Sequence, residues 1–208
     1  EQVLSAGLDR IDAVLITHGH ADHIHGIDDV RAAVLHMRQL MPIYMDERTA
    51  SVVRSRFNYC FETPVGSDYP PIAREMRITK GHEVVIDGPG GAITALPFEV
   101  HHGDIDALGF RFGDVAYTPD LNAIPEESLE ALRGLDVWII DALKYRPHPS
   151  HLNVAEALEW IDRMKPKKAI LTNLHVDLDY EALKATLPDH IEPAFDGMKL
   201  IVKGAEQT

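Results

Sequence analysis

Within six residues the chain places three imidazoles and one carboxylate: His18, His20, Asp22 and His23, in the string Thr17-His18-Gly19-His20-Ala21-Asp22-His23. Imidazole and carboxylate together suit zinc, manganese or iron. His18 and His20, separated by one glycine, can turn onto one ion. Asp22 and His23 then reach a second ion, because the chain has already reversed direction. A chance histidine cluster on the surface, or a tag remnant, is the plainer alternative. Two features argue against it: the cluster contains Asp as well as His, and it follows the apolar run Ala13-Val14-Leu15-Ile16, which reads as a buried strand.

Other chemistry-bearing residues also follow apolar segments, though periodicity alone would not select them. Residues 93–100 lead to His101-His102-Gly103, and residues 115–118 lead through Pro119 to Asp120. Residues 137–140 end at Asp141, and residues 169–174 end at His175. Strand ends of a layered α/β fold share one rim, so such residues can meet. His101 and His102 are adjacent and point in opposite directions in an extended segment, so one of them at most faces a shared site.

The elements needed to hold this rim are readable between the motifs. Residues 27–39 carry Ile27, Val30, Val34 and Leu35 at helical spacing, with Asp28 and Asp29 in the first turn, where the helix dipole favours acids. Residues 42–45 form a short strand, and Asp46 caps a helix running to Phe57. Residues 58–71 contain four prolines and glycines among several aromatics, and read as a long loop. Strands are expected over residues 72–79 and 82–86. Pro125 opens a helix over residues 126–133. Asn153 with Glu156 makes a capping-box start for a helix ending near Met164. Asp179 caps a further short helix, and residues 198–202 read as a closing strand.

The His-x-His-x-Asp-His string, with a lone His, an Asp and a last His each after its own strand, resembles the signature of the metallo-β-lactamase superfamily. The resemblance implies an α/β (α+β, four-layer) αββα sandwich, with residues 1–208 as one hydrolase domain. It also implies two divalent metal ions, zinc or manganese: one on His18, His20 and His102, the other on Asp22, His23 and His175, with Asp120 bridging. His102 is preferred to His101 because related sequences place the ligand directly before a small residue, here Gly103. In the family a strand hairpin and a helix precede the first motif, so residues 1–7 read as the tail of that helix and the opening strands as missing from the chain. True β-lactamases of this fold commonly serve the second metal with a cysteine. Here Asp120 takes the bridging place, which argues against β-lactam hydrolysis.

Three stretches resemble the phosphodiesterase encoded beside bacterial carbon–phosphorus lyase: residues 20–29, 116–120 and 148–153. This implies a binuclear phosphodiesterase for small cyclic or linear nucleotide-like esters. Two ions about 3.5–4 Å apart share a hydroxide, lower its pKa and clamp the substrate oxygen. Asp22 and His151 are the candidates for catalysis, His151 as the acid that protonates the leaving alkoxide. For His151 the bland reading is a residue packed at a helix start. Asp141 reads as a hydrogen-bond acceptor for a ligand imidazole. The alternatives are a thioesterase or lactonase of the glyoxalase type, and a nuclease of the transfer-RNA 3′-processing type. The first usually carries an added C-terminal helical domain and the second a protruding arm, neither of which is legible here.

Composition agrees with a small anionic substrate. The formal charge of −13 over 208 residues disfavours extended nucleic acid, which requires a basic stripe. The chain has no apolar run long enough to cross a bilayer, no signal peptide is expected from its first residues, and the single cysteine, Cys60, rules out an internal disulfide. A cytoplasmic, reducing setting is expected. The loop of residues 57–71 reads equally as a lid that stacks Tyr59, Phe61 or Tyr69 on a base and as a homodimer contact. Cys60 reads as a small buried thiol, and His25 as a packed neighbour of the motif.

Overall fold

The computed structural model describes residues 2–202. The chain divides into two compact units, with the boundary after Ile93.

The first unit opens with α1 (Gln2–Ser5), β1 (Val14–Leu15), α2 (Ala21–Ile24), α3 (Arg31–Met37), β2 (Met41–Met45), α4 (Glu47–Phe57), β3 (Ala73–Arg77) and β4 (Val84–Gly88). Strands β1, β2 and β3 form a parallel sheet in that order, with Val14 opposite Ile43 and Met41 opposite Ala73. Alternation along β2 turns Met41, Ile43 and Met45 inward, all fully buried. They meet Ile24, Ala50, Val53, Cys60 and Phe61 in one core. The Asp46 carboxylate accepts the Thr49 amide at 2.7 Å and starts α4, a cap worth about 1 kcal/mol.

The helix expected over residues 27–39 forms in two parts. Residues His25–Val30 wind as a 3-10 turn, and α3 continues to Met37, where Arg38 takes a left-handed conformation (φ 54°) and ends it. The tighter winding advances about 120° per residue instead of about 100°. Ile27 and Val34 stay buried, whereas Leu35, assigned by periodicity to the same apolar face, is rotated out and exposed.

The second unit contains β5 (Gly91–His102), within which the boundary falls, then β6 (Ile105–Phe112), β7 (Val115–Thr118), β8 (Val137–Asp141), α5 (Val154–Met164), β9 (Lys168–Thr172), α6 (Tyr180–Thr186) and β10 (Ile191–Pro193). The sheet order is β10-β9-β8-β7-β6-β5-β4. β5, β6 and β7 pair antiparallel; β7 to β10 pair parallel, joined by helical crossovers. Its core gathers Phe98, Val100, Leu121, Leu132, Trp138, Ile140, Leu152 and Ile161. The buried Trp138 indole donates to Thr118 Oγ1 at 3.0 Å, so its polar atom is satisfied. The capping box forms as expected: Asn153 accepts from the Glu156 amide and Glu156 accepts from the Asn153 amide.

The strand expected over residues 198–202 does not form. The sheet edge is occupied by β10, whose Ile191–Pro193 pairs with Ala169–Leu171. Met198 N then bonds to Phe195 O in a turn, and Ile201 stays exposed.

Candidate metal centre

In the first unit the Ile16 amide donates to Tyr44 O at 2.9 Å, which fixes where the histidine string leaves the sheet. Thr17 and His18 are buried. A Cβ on Gly19 would lie 3.0 Å from Val52 Cγ1, so glycine lets the string pass close against α4. α2 begins at Ala21, directly after His20, and its first turn carries Asp22 and His23. The turn folds the string back on itself. The His18 ring centroid lies 4.6 Å from that of His20 and 4.2 Å from that of His23, and Asp22 Oδ2 lies 3.4 Å from His23 Nε2. Thr17 Oγ1 sits 3.1 Å from His18 Nδ1, which leaves Nε2 as the coordinating atom.

In the second unit, alternation at the end of β5 puts His101 and His102 on opposite faces. His101 is partly exposed, with its Nδ1 2.9 Å from Asp106 Oδ1, and forms a surface group with Glu99 and Asp106. His102 is buried. Its Nδ1 donates to the Ser150 carbonyl at 2.7 Å, and its Nε2 faces Asp120 Oδ2 at 3.6 Å. A backbone carbonyl on one imidazole nitrogen fixes the tautomer and aims the other nitrogen at a cation. Asp120 itself is buried just beyond β7.

His151 lies beside them. Its Nδ1 is 2.9 Å from Asp141 Oδ2, its Nε2 is 3.9 Å from Asp120 Oδ2, and its ring is 4.6 Å from that of His102. The imidazole oriented by Asp141 is therefore His151, the candidate acid, and not one of the candidate ligands. Asp141 is fully buried and also accepts the Leu121 amide at 3.2 Å. Burial pushes its carboxyl up to about 6; the hydrogen bond from His151 and that ring's charge pull the other way without overcoming it. Burial also holds His148 below the usual imidazole range, helped by the neighbouring His151 and Lys144.

Asn173 is a member of this group that sequence reading did not single out. It occupies the left-handed region (φ 59°) directly after β9. Its Nδ2 lies 3.2 Å from Asp120 Oδ1, 3.4 Å from Asp141 Oδ1 and 3.3 Å from His151 Nδ1. The only signal in the sequence is an Asn at the end of an apolar strand, two residues before a histidine. His175 is not grouped with His102 and Asp120. Its ring is half-exposed, and Asp177 Oδ2 lies 3.3 Å from Nδ1; with the Nδ1 proton turned to that carboxylate, Nε2 is the atom left for a ligand. His25 packs edge-on against Phe57, 5.8 Å between centroids.

The donor sets fit divalent metals. Imidazoles beside a carboxylate are the ordinary ligands of zinc and manganese. Each unit presents such a set, and each set keeps imidazole Nε2 atoms as donors.

The chain belongs to the beta-lactamase superfamily: the superfamily domain model matches residues 2–173. It has the mixed α/β fold of the metallo-β-lactamase sandwich, the fold of a class of metal-dependent hydrolases. A solved diphosphatase of the PhnP family is similar at 33% identity and a TM-score of 0.85, over 97% of this chain and 75% of that one. This is the phosphodiesterase-like type that residues 20–29, 116–120 and 148–153 suggested. An octanoyltransferase of Porphyromonas gingivalis is 32% identical over 97% of this chain but 40% of its own length. A ribonuclease Z of Bradyrhizobium sp. is 34% identical over 51% of this chain and 34% of its own length. The chain thus spans less than half of these two curated relatives.

Proposed function

We propose that the chain is a binuclear metal-dependent phosphodiesterase for small nucleotide-like phosphodiesters, cyclic or linear. The observation that carries this reading is the Asp141–His151 pair set beside Asp120 and His102, because it supplies an oriented proton donor next to metal-ligand side chains. His18, His20 and His102 would hold one ion, Asp22, His23 and His175 the other, and Asp120 both. Zinc or manganese, when bound, supplies Lewis-acid activation of water and charge neutralisation at the phosphoryl group. Asp22 and Asp120 contribute anionic oxygens that keep the cations in place.

The leaving alkoxide needs a proton, and His151 is built to give one. Asp141 accepts from Nδ1, so the proton to be donated sits on Nε2, the nitrogen facing Asp120. The buried carboxylate stabilises the imidazolium before transfer and holds the ring in place after it. Such an acid contributes about 10²–10⁴-fold. The diphosphatase likeness supports phosphoester chemistry, and the −13 charge weighs against long polynucleotides despite the partial likeness to ribonuclease Z.

Among the described residues no helix is long and apolar enough to cross a membrane. The fully buried Cys60 suits a reducing cytoplasm. Exposed Tyr59 and Tyr69 suit either a lid over a base or a homodimer contact.

The test is to assay bis-p-nitrophenyl phosphate, a cyclic nucleotide and a thioester side by side, with manganese and with zinc. Phosphodiester turnover is expected. Thioester turnover alone would sink the proposal in favour of the thioesterase reading. With Asp120→Ala, metal content is expected to fall towards one ion per chain and turnover to collapse.

A further inference from the structure

The loop between β8 and α5 carries a second feature besides His151. The Leu143 amide bonds to Leu152 O at 2.9 Å and the Val154 amide to Lys144 O at 3.0 Å, which closes residues 145–151 into a loop with its two ends pinned together. The His175 amide bonds to Leu143 O at 2.8 Å and ties the base of the loop to the segment after β9. Pro147 and Pro149 fix backbone torsions within it and limit its motion. One shoulder of this closed loop is Lys144-Tyr145-Arg146; the other ends at His151.

Beside that shoulder lies a cavity of about 460 Å3 lined by Lys144, Tyr145, Arg146 and Asp177. Its size falls in the range of about 300–1,000 Å3 usual for small-molecule sites. Arg54, Arg77, Arg111, Arg133, Lys167 and Lys168 pair with acidic side chains, whereas others such as Arg48, Arg74 and Lys165 are in no ion pair among the described residues. Lys144 and Arg146 are in no ion pair among the described residues, although Asp177 lines the same cavity. The Asp177 carboxylate instead leans to His175 Nδ1 at 3.3 Å. Tyr145 between them is half-exposed.

We infer that this cavity is the subsite for the leaving-group half of the substrate, and that it takes a nucleoside phosphate. Resting on the phosphodiesterase reading, the assignment follows from position and chemistry. Lys144 and Arg146 hold the distal phosphate, Arg by a two-pronged contact that matches phosphate oxygens. Tyr145 stacks on the base. Asp177, an acceptor on the same cavity wall, takes a ribose hydroxyl. The ligand so held lies on the loop that carries the proton donor for its departing oxygen.

The experiment uses the metal-loaded protein and two probes, AMP and inorganic phosphate, titrated calorimetrically. The wild type is expected to bind AMP at least about tenfold tighter than inorganic phosphate. The K144A/R146A double variant should weaken both AMP and inorganic phosphate by about tenfold or more, whereas Tyr145→Ala should weaken AMP by about tenfold or more and leave inorganic phosphate unchanged. Tyr145→Phe should restore AMP binding, since the ring and not the hydroxyl stacks. Equal AMP affinity in wild type and both variants would overturn the subsite, as would AMP binding no tighter than phosphate in the wild type. Failure of the phosphodiesterase reading shows separately, as absence of bis-p-nitrophenyl phosphate turnover by the wild type.

Discussion

Asn173 holds one side-chain amide between two buried carboxylates, and its replacement tests whether that clamp matters. The amide lies within hydrogen-bond reach of Asp120 and Asp141, and the backbone is left-handed (φ 59°). Asn173→Gly removes the amide and relieves the backbone; Asn173→Ala removes the amide and strains it. Hydrogen bonds to charged acceptors contribute about 1.5–3 kcal/mol, and these are long, so Asn173→Gly should cost about 1–2 kcal/mol. Alanine in the left-handed region should cost about 1 kcal/mol more. For a chain of 208 residues each kcal/mol moves Tm by about 2–4 °C. Thermal unfolding with and without added zinc, together with metal content after dialysis, reads both effects. The expected order of Tm is wild type, then Gly, then Ala, with metal retention reduced in both variants because Asp120 is no longer oriented. If Gly matches the wild type in Tm and metal content, the clamp has no energetic role. If Ala is as stable as Gly, the backbone argument fails.

Three further outcomes are expected. His151→Ala should slow hydrolysis of an alkyl phosphodiester by about 10²–10⁴-fold but affect bis-p-nitrophenyl phosphate far less, because p-nitrophenolate leaves without a proton; equal losses on both substrates would remove His151 from the acid role. Asp141→Asn should stabilise the metal-free protein at pH 8 by at most about 3 kcal/mol, since burial raises the Asp141 carboxyl to about 6 and the ionised form is the unfavourable one. That cost is absent below the unfolded carboxyl range and grows as pH rises to about 6, so urea unfolding should show the gap between variant and wild type closing below about pH 4. Gly109→Ala would put a Cβ 2.6 Å from two ring carbons of Phe98 and 2.9 Å from Thr118 Cγ2, an overpacking worth about 1–3 kcal/mol that a drop in Tm should reveal.

Features set by a few neighbouring residues were the legible ones. The Asp46, Asn153 and Asp179 caps form where they were expected, because a cap is a contact between a side chain and an amide three residues away. The fold family was legible for a related reason: the histidine string needs its spacing only over six residues. Periodicity failed where winding or pairing was decided elsewhere. Leu35 fell off the apolar face because the preceding residues wound more tightly, and residues 198–202 turn back on themselves, with Met198 N bonded to Phe195 O, instead of pairing. Asn173 carried no periodic or motif signal; its role comes from partners 32 and 53 positions away.

By itself, the sequence determined the caps and the family, because each depends on residue types at short separations. Only the tertiary structure decided which imidazole Asp141 orients, what surrounds the Asn173 amide, and that Lys144 and Arg146 share a cavity with Tyr145. Those relations arise where parallel strands β7, β8 and β9 end side by side, and strand register brings together residues that no spacing rule connects.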